Sequence, residues 1–401
     1  MTTEEFDAEL EMGNTMLDGS GYHGRLLDLD MHIQPSPDTY EIAAGEVGIQ
    51  FANMLRQMKD QVPPDQQKRV TSLIADETSV FTDETVWTMK GAVAPGAFTA
   101  DGRLKLLDRM GVARALILAD PGIMALTFAD NELGVRTMRH WNRFVLAYIE
   151  TDPVRLRAAA LLNTHDIDVA IDEAERMLKA GCRAFVLPSA NPPGKLSPAH
   201  PAMDRLWRMI EEANATAVLH AGGEMGFMSS YDWANGVEHL NFSPTDITSE
   251  CEQINIFNFT ALQYAPQNFL TTIVLGGVFD RFPNLRFGMF ELGAGWLGPT
   301  AEKLDQINTI YRRRLSDVLS MKPSEYIERN VRVTPYRFEP VADYVDRHGL
   351  ADCYCYSSDF PHPEGGTEPL REFSTRIDRL GESYAERFFV TNGEWLLPNA
   401  A

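Results

Sequence analysis

The sequence is poor in cysteine and in basic residues, and each shortage excludes a class of protein. Four cysteines in 401 residues are too few for a disulfide framework, and none forms a Cys-x-x-Cys metal motif, so we expect buried, reduced thiols. Only 36 lysines and arginines stand against 57 acidic residues, which gives a formal net charge of −21. This charge repels phosphate backbones and anionic membranes, so neither nucleic acid nor membrane is an expected partner.

Long hydrophobic runs are missing as well. The first 24 residues are acidic and lack the apolar centre of a signal peptide, and no segment approaches the roughly 18 apolar residues that span a membrane. The sequence therefore predicts a cytoplasmic protein in which residues 1–24 form an acidic N-terminal extension. A hydrophobic content of 44% and a charged content of 23% are typical of a globular fold.

Short apolar segments alternate with helical patterns along the rest of the chain. Helical spacing over residues 166–180, 201–214 and 299–315 separates pairs of these segments, which is typical of a parallel (β/α)8 TIM barrel. A doubly wound open sheet is the structural alternative, but no glycine-rich phosphate turn follows the first segment. The predicted strands are residues 25–33, 113–119, 156–162, 182–188, 216–222, 285–293, 331–335 and 353–359.

The longest connection follows the first predicted strand. Insertions after barrel strands lie on the catalytic face, so residues of about 40–100 are predicted to form a lid within a single domain of residues 25–401. Packing, or contact with a second subunit, is the alternative. A second long connection, residues 224–282, lies between the fifth and sixth strands.

Candidate metal ligands stand at the ends of four predicted strands. Asp30 and His32 alternate in the first strand and so share one face, while His220 and Asp359 end the fifth and eighth strands. Carboxylate and imidazole donors together suit Zn²⁺ or Mn²⁺. Because the carboxyl ends of barrel strands converge, the joint pattern predicts a divalent metal site, although each residue alone also fits a structural role. Glu291, at the end of the sixth strand, is a further carboxylate.

Several motifs add a family signal to this pattern. Over about residues 25–397 the chain carries five stretches that together are similar to the amidohydrolase-related branch of the amidohydrolase superfamily. This branch includes aminocarboxymuconate-semialdehyde decarboxylase and γ-resorcylate decarboxylase. The stretches are Asp28-Leu-Asp-Met-His-Ile-Gln-Pro35, Ala217-Val-Leu-His-Ala-Gly222, Gly277-Val-Phe-Asp-Arg-Phe-Pro-Asn-Leu-Arg286, Glu291-Leu-Gly-Ala-Gly-Trp296 and Ser357-Ser-Asp-Phe-Pro-His-Pro-Glu-Gly365.

The resemblance implies a metal-dependent TIM barrel, with Asp30, His32, His220 and Asp359 as ligands and zinc, or alternatively manganese, as the ion. Gln34 stands where part of the family has a second histidine, which favours the Asp30 and His32 pair. Glu291 stands where the decarboxylases have a histidine, so their proton-transfer pair is not reproduced. Glu291 is instead an extra ligand, a general acid or base, or a group that orients a ligand.

The resemblance and the strand ends also suggest substrate contacts. His362 follows the last strand, Trp87 and Trp296 are candidates for the wall of an aromatic pocket, and a substrate carboxylate would suit Lys90, Arg332 or Arg337. Surface or packing roles are the alternatives for each of these residues.

Three functions compete at this stage. The first is a metal-dependent hydrolase acting on a small carbonyl compound, with Asp359, His220 and Glu291 as catalytic residues around a metal-activated water. The second is a non-oxidative decarboxylase of an aromatic or unsaturated acid, and the third is a barrel with a structural metal only. We expect a small-molecule substrate and a homo-oligomer, either a dimer or a tetramer.

Overall fold

The computed structural model describes residues 20–61, 75–224, 227, 233–240 and 256–398. Its strands are β1 (Leu26–Ile33), β2 (Val112–Ala119), β3 (Leu156–Ala158), β4 (Ala160–Leu161), β5 (Ala184–Val186), β6 (Thr216–His220), β7 (Arg286–Phe290) and β8 (Val331–Val333). Its α-helices are α1 (Tyr40–Ala44), α2 (Glu46–Gln61), α3 (Thr85–Thr88), α4 (Ala100–Met110), α5 (Pro121–Thr127), α6 (Glu132–Glu150), α7 (Ile167–Lys179), α8 (Asp204–Glu212), α9 (Ile256–Ala261), α10 (Tyr264–Leu275), α11 (Val278–Arg281), α12 (Leu297–Ile310), α13 (Arg312–Leu315), α14 (Pro323–Asn330), α15 (Val341–His348), α16 (Pro369–Ile377), α17 (Glu382–Glu386) and α18 (Asn392–Leu396).

The strands are parallel and follow one another in chain order. β1, β2 and β3 form one sheet, and β4 to β8 form a second sheet. β3 and β4 are consecutive parts of the predicted third strand, interrupted at Ala159, whose amide donates to the Ile117 carbonyl of β2 at 2.8 Å. The two sheets therefore meet in one extended segment, and the buried faces of the strands enclose the core.

Residues 353–360 occupy the last position of the ring. The Cys355 amide donates to the Val333 carbonyl of β8 (3.0 Å), and the His32 amide of β1 donates to the Phe360 carbonyl (2.7 Å). This segment forms isolated bridges rather than the continuous strand that was predicted, and Asp359, at its end, adopts a φ of +51° in the left-handed region. It nevertheless joins β8 to β1, and the predicted TIM-barrel fold is confirmed.

The opposite, amino-terminal ends of the strands contact α18. Thr216, the first residue of β6, donates to the Leu396 carbonyl (2.6 Å), and Arg286, the first residue of β7, donates to the Trp395 carbonyl (2.6 Å). The guanidinium carbon of Arg332 lies 4.0 Å from the Trp395 ring centroid. The prediction that Arg332 binds a substrate carboxylate is therefore wrong, since its position near the start of β8 directs it to this end of the barrel.

The described part of the insertion after β1 lies at the carboxyl-terminal end of the barrel. The Gln34 amide donates to the Ala97 carbonyl (2.9 Å), and the Gly91 amide donates to the Pro361 carbonyl (2.8 Å). The chain around residues 91–97 is thus fixed between the end of β1 and the loop that follows Asp359. A lid function for the insertion stays a prediction, and residues 62–74 lie outside the described part of the chain.

Arg103 of α4 is a fully buried cation that connects the insertion to β1. Its Nε donates to the Gly96 carbonyl (2.8 Å), and its Nη2 donates to the carbonyls of Ala97 (3.2 Å) and His32. Because buried carbonyls without partners are costly, this side chain stabilises the backbone at the end of β1.

We expect Arg103→Met to lower the free energy of unfolding by about 3 kcal/mol, since it leaves buried carbonyl groups unpaired. Urea denaturation measures the change. Arg109→Met is the matched control, because Arg109 is on the same helix but is half-exposed and paired with the exposed Asp83. Equal losses in the two variants would contradict the stabilising role of Arg103.

The predictions about the cysteines, the N-terminal extension and membrane-spanning helices can be compared with the described residues. Cys182, Cys353 and Cys355 are buried free thiols, as expected, while Cys251 and residues 1–19 of the N-terminal extension lie outside the described residues. Within the described part of the chain, no helix has the length and apolar character needed to cross a membrane.

Candidate metal centre

The structure brings Asp30, His32, His220 and Asp359 together at the carboxyl ends of the strands. The Asp30 Oδ1 atom lies 3.2 Å from His220 Nε2 and 3.3 Å from His32 Nε2. His32 Nε2 lies 3.5 Å from Asp359 Oδ1. All four side chains are buried, although they come from three different parts of the ring.

Backbone carbonyl groups fix the orientation of both imidazoles. The Nδ1 atom of His32 lies 3.1 Å from the Ala119 carbonyl oxygen, and the Nδ1 atom of His220 lies 2.7 Å from the Ala221 carbonyl oxygen. A carbonyl only accepts, so each Nδ1 carries the proton and donates it. When a cation replaces any proton on Nε2, each Nε2 presents a lone pair to the centre, which is the arrangement that commonly orients metal-binding histidines.

Several polar atoms at the centre have no hydrogen-bond partner among the described residues. They are His32 Nε2, Glu291 Oε2 and both carboxylate oxygens of Asp359, and all are buried. Buried polar atoms are normally satisfied, so a convergent set of unsatisfied acceptors indicates a missing positive partner. Nitrogen and oxygen donors at these separations fit a divalent metal ion.

Two carboxylates of the centre stand on strained backbone. Glu291 has a φ of +54° and Asp359 a φ of +51°, in the left-handed region that residues with a side chain rarely adopt. The loop after Glu291 is held by Glu339, whose carboxylate accepts from the amides of Ala294 (3.0 Å) and Gly295 (3.0 Å). Strain of this kind persists where the surroundings enforce it, and it is concentrated at functional sites.

Burial and crowding of charge shift the pKa values of these groups. Burial raises the pKa of Glu291, and the nearby carboxylate of Asp359 raises it further. Burial likewise raises the pKa of Asp359, and the carboxylate of Asp30 adds to that effect. Burial is the largest single effect and opposes the charged form of Asp30 too, but the contacts with His220 and His32 together outweigh it and lower the pKa of Asp30. The same pairing overcomes the effect of burial on His220 and raises its pKa to about 9. In the absence of a cation, the centre therefore favours protonated Glu291 and Asp359.

Glu291→Gln is expected to stabilise the protein in the presence of a chelator, by on the order of 1 kcal/mol or about 2 °C in Tm. The reason is that the folded site forces Glu291 either to take up a proton or to hold a buried charge against the neighbouring carboxylates, and a neutral amide avoids both costs. Because the pKa of Glu291 is raised in the folded state, the gain is absent below the ordinary carboxyl pKa and grows as the pH rises above it. Thermal unfolding at several pH values measures the difference.

The exposed Glu302→Gln on α12 is the control for this substitution and should leave Tm unchanged. Added Mn²⁺ or Zn²⁺ should stabilise the wild type more than Glu291→Gln, because the ion interacts with the ionised carboxylate. A variant that is less stable than the wild type in chelator would contradict the repulsion argument.

The structure places three of the predicted substrate contacts beside the centre. His362 Nδ1 lies 3.0 Å from Asp359 Oδ1. Lys90 is partly buried, which lowers its pKa to about 8, while the charge of Asp359 acts in the opposite direction. Arg337 lines the same cavity as Asp30, Glu291 and Asp359, and its guanidinium donates to the Glu372 carboxylate.

The other predicted contacts lie elsewhere. Trp87 packs against the core, and the indole of Trp296 donates to the Gly293 carbonyl (2.8 Å). Neither is among the described residues that line the cavity with Asp30 and Asp359. The side-chain amide of Gln34 donates to the Asp120 carboxylate (2.7 Å), so the Gln34 side chain stabilises the loop after β2.

Three residues beside the centre were not anticipated from the sequence. Glu364 lines the cavity and has a buried, unpaired Oε2 atom, and the Tyr336 hydroxyl donates to the Glu291 carbonyl (2.9 Å). Asp28 accepts hydrogen bonds from the backbone amides of Asp30 (3.2 Å) and Ser358 (3.1 Å). Asp30 is itself a predicted ligand, and Ser358 directly precedes the predicted ligand Asp359. Strand alternation signals Asp28, since it shares a face with Asp30; no local pattern identifies Tyr336.

Comparison with solved structures supports the fold. An amidohydrolase from Mycobacterium avium subsp. paratuberculosis K-10 is 18% identical, with a TM-score of 0.69 over 93% of this chain and 99% of its own. The 5-carboxyvanillate decarboxylase LigW from Sphingomonas paucimobilis is 18% identical, with a TM-score of 0.59 over 94% and 99%. A dihydroxybenzoic acid decarboxylase from Polaromonas sp. JS666, with bound manganese and the inhibitor 2-nitroresorcinol, is 17% identical, with a TM-score of 0.60 over 93% and 96%.

At these identities the similarity establishes the fold alone. No curated protein sequence matches the chain. The amidohydrolase family model, however, matches residues 29–398. This span contains all the candidate ligands, and it contains every strand apart from the first three residues of β1. The centre, with its buried imidazoles and carboxylates, fits a divalent metal. The protein belongs to the amidohydrolase family and is an enzyme of the amidohydrolase superfamily.

Proposed function

We propose that the protein is a metal-dependent, non-oxidative decarboxylase of an aromatic or unsaturated acid. The observation that carries the proposal is Asp359, a buried carboxyl group whose Oδ1 lies 3.5 Å from His32 Nε2 and whose charge acts on the cation of Lys90. Proton transfer to carbon requires a buried acid, and an anionic substrate requires a nearby cation. The solved decarboxylases of similar fold, whose substrates are carboxylated phenols, support the same choice over hydrolysis.

In this proposal Asp30, His32, His220 and Asp359 hold the ion, which is Zn²⁺ or Mn²⁺. When bound, the ion would attract the substrate carboxylate and a neighbouring oxygen and stabilise negative charge on them. Lys90 assists from the side of the insertion by pairing with an anionic oxygen of the substrate. The fixed Nδ1 bonds of the two histidines keep this geometry rigid, so that the substrate is oriented before reaction.

The chemical step uses Asp359 as the acid: one of its carboxyl oxygens would contact the ion, and the other carries the proton. Its carboxyl proton is transferred to the ring carbon that bears the substrate carboxylate, and the C–C bond to that carboxylate then breaks. CO₂ leaves, the electron pair of the broken bond returns to the ring, and a proton from water restores Asp359. Burial favours the protonated form of this side chain, which suits a proton donor.

Hydrolysis is the second candidate, and Glu291 is the observation that favours it. Its Oε2 atom lies 3.3 Å from His220 Nε2, where an ionised carboxylate could accept the proton of an attacking water. In that case the bond that is cleaved would belong to an ester, a lactone or an amide, or it would be a C–C bond next to a carbonyl group.

Isotope labelling distinguishes the two functions. We would incubate the Mn²⁺-loaded protein in D₂O with hydroxybenzoates that carry an ortho carboxylate, and follow CO₂ release and the NMR spectrum of the product. The expected product carries one deuterium at the carbon that lost its carboxylate. A parallel panel of esters and lactones in H₂¹⁸O tests hydrolysis, and chelator-treated protein is the control.

Release of CO₂ with deuterium at carbon would support decarboxylation. Incorporation of ¹⁸O into an acid product, with no CO₂ from any aromatic acid of the panel, would overturn it in favour of the hydrolase.

A further inference from the structure

We infer that a second cavity at the carboxyl-terminal end of the barrel binds an uncharged ligand of the size of a phenol, at a site separate from the metal centre. The inference goes beyond the proposed function, and binding at this site does not depend on it. The cavity has a volume of about 160 Å³ and lies among the loops that follow β2, β4, β5 and β6. Among the described residues, it shares no lining residue with the cavity that contains Asp30, Glu291 and Asp359.

The walls of this cavity are mainly apolar. The apolar side chains come from α5, from the turn after it and from the loop after β5, and they include Ala125, Phe128, Ala129, Pro188 and Pro192. A cavity of about 150 Å³ with apolar walls is large enough for a benzene ring, so the volume here suits one six-membered ring with a small substituent. Small-molecule sites typically combine such walls with a few placed polar groups.

Thr164 supplies a polar group in this wall. It lines the cavity after β4, it is only 2% exposed, and its hydroxyl has no hydrogen-bond partner among the described residues. Buried hydroxyls are normally paired, so this hydroxyl is available to a ligand in the cavity. The neighbouring His165 is engaged elsewhere, since its Nε2 lies 3.0 Å from the Phe128 carbonyl oxygen and its Nδ1 lies 3.5 Å from the Asp130 carboxylate. Thr164 is therefore placed to recognise the hydroxyl group of a ring-sized ligand.

The charge of the lining selects between acids and phenols. Among the described lining residues, none carries a carboxylate, an ammonium or a guanidinium group. Burial of an ionised carboxylate is costly without a cation, whereas a phenol, with a pKa of about 10, enters the cavity uncharged at neutral pH. The proposed decarboxylation converts a hydroxybenzoate into a phenol. Its product therefore belongs to the class that this cavity accepts, and its substrate belongs to the class that the cavity rejects.

Two glycines directly after β6, Gly222 and Gly223, form a fixed part of the wall. The Gly223 amide donates to the His220 carbonyl (3.0 Å). The Gly223 carbonyl accepts from the amides of Ser189 (2.8 Å) and Ala190 (3.1 Å) in the loop after β5. Gly222 has a φ of +88°, which favours glycine, so this stretch of wall has no side chain that would fill the cavity. Because these bonds join the two loops, the cavity is formed before a ligand binds, which lowers the cost of binding.

Titration with 4-fluorophenol, followed by ¹⁹F NMR, tests the inference. The full-length protein is first treated with a chelator, so that no metal is present to bind a phenolate, and the probe has no carboxylate to lose, so the result is independent of the proposed reaction. We expect saturable binding of one 4-fluorophenol per chain with a Kd on the order of 0.1–1 mM. 4-Fluorobenzoate should displace the probe at least about 10-fold less effectively, because its charge finds no cation in the cavity. Absence of saturable binding, or equally effective displacement by the benzoate, would overturn the inference.

Two substitutions test where the probe binds. Ala125→Leu fills the cavity from α5 and should weaken 4-fluorophenol binding at least about 10-fold; if it fails to fold, Ala190→Val fills the cavity from the loop after β5. Thr164→Val keeps the shape of the side chain but removes the hydroxyl, and the loss of one hydrogen bond should weaken binding about 5-fold. Thr309→Val, at an exposed threonine on α12, is the matched control and should bind as the wild type does. Wild-type affinity in the folded cavity-filling variant would overturn the site, and wild-type affinity in Thr164→Val would overturn the part of the hydroxyl in it.

Discussion

Asp359→Asn should lower kcat by about 10²-fold or more, even when metal is saturating. Asparagine keeps the shape of the side chain and can still offer a carbonyl oxygen to a metal, but it cannot donate or accept the proton that the proposed step requires. The positive φ at this position also favours asparagine among the possible replacements, because asparagine tolerates the left-handed region well. Steady-state rates at increasing Mn²⁺ concentration measure the effect.

The exposed Asp317→Asn on the loop after α13 is the control and should retain the rate of the wild type. A loss that disappears at high metal concentration would mean that Asp359 acts as a ligand only. Wild-type kcat at every metal concentration would exclude Asp359 as the acid.

His220→Ala should remove metal and activity together. His220 is fully buried, its Nδ1 proton is committed to the Ala221 carbonyl and its Nε2 lies 3.2 Å from Asp30, so no neighbouring side chain replaces it as a donor. Loss of a residue that only orients a ligand typically weakens metal binding 10- to 100-fold, and loss of the ligand itself should exceed this. Elemental analysis and Mn²⁺ titration of the folded variant measure the affinity.

His23→Ala, at an exposed histidine, provides the matched control, and thermal unfolding in chelator separates metal loss from misfolding. A folded His220→Ala protein that keeps stoichiometric metal and full turnover would show that His220 is not a ligand.

Local patterns in the sequence were sufficient for the strands and for much of the centre. The first strand was predicted over residues 25–33 and is found over Leu26–Ile33, because its alternation of apolar and acidic residues is unambiguous. The interruption at Ala159 and the irregular course of residues 353–360 were not predictable, since both depend on pairing with distant strands. The position of Arg332 was open to prediction, because it stands near the beginning of its strand.

The convergence of the candidate ligands was within reach of sequence reasoning because barrel strands converge at their carboxyl ends, which Asp30, His32, His220 and Asp359 all occupy. The residues that contact these candidate ligands could not be predicted from the sequence. Gln34 binds Asp120 across 86 positions of sequence, and His362 meets Glu291 only after the ring closes. The strained backbone at Glu291 and Asp359 has no signature in the sequence, because neither is a glycine.

Closure of the ring between β1 and residues 353–360 has a consequence for biosynthesis. The hydrogen bond from the Ser358 amide to Asp28 joins residues 330 positions apart. At 5–20 residues per second, a ribosome needs roughly 15–65 s to make the chain between them, and during that time one edge of β1 has no partner. Asp30 and His32 are synthesised early, but Asp359 arrives last. A growing chain therefore cannot assemble the complete set of candidate ligands, and tight metal loading is expected only after synthesis has passed the final segment of the barrel.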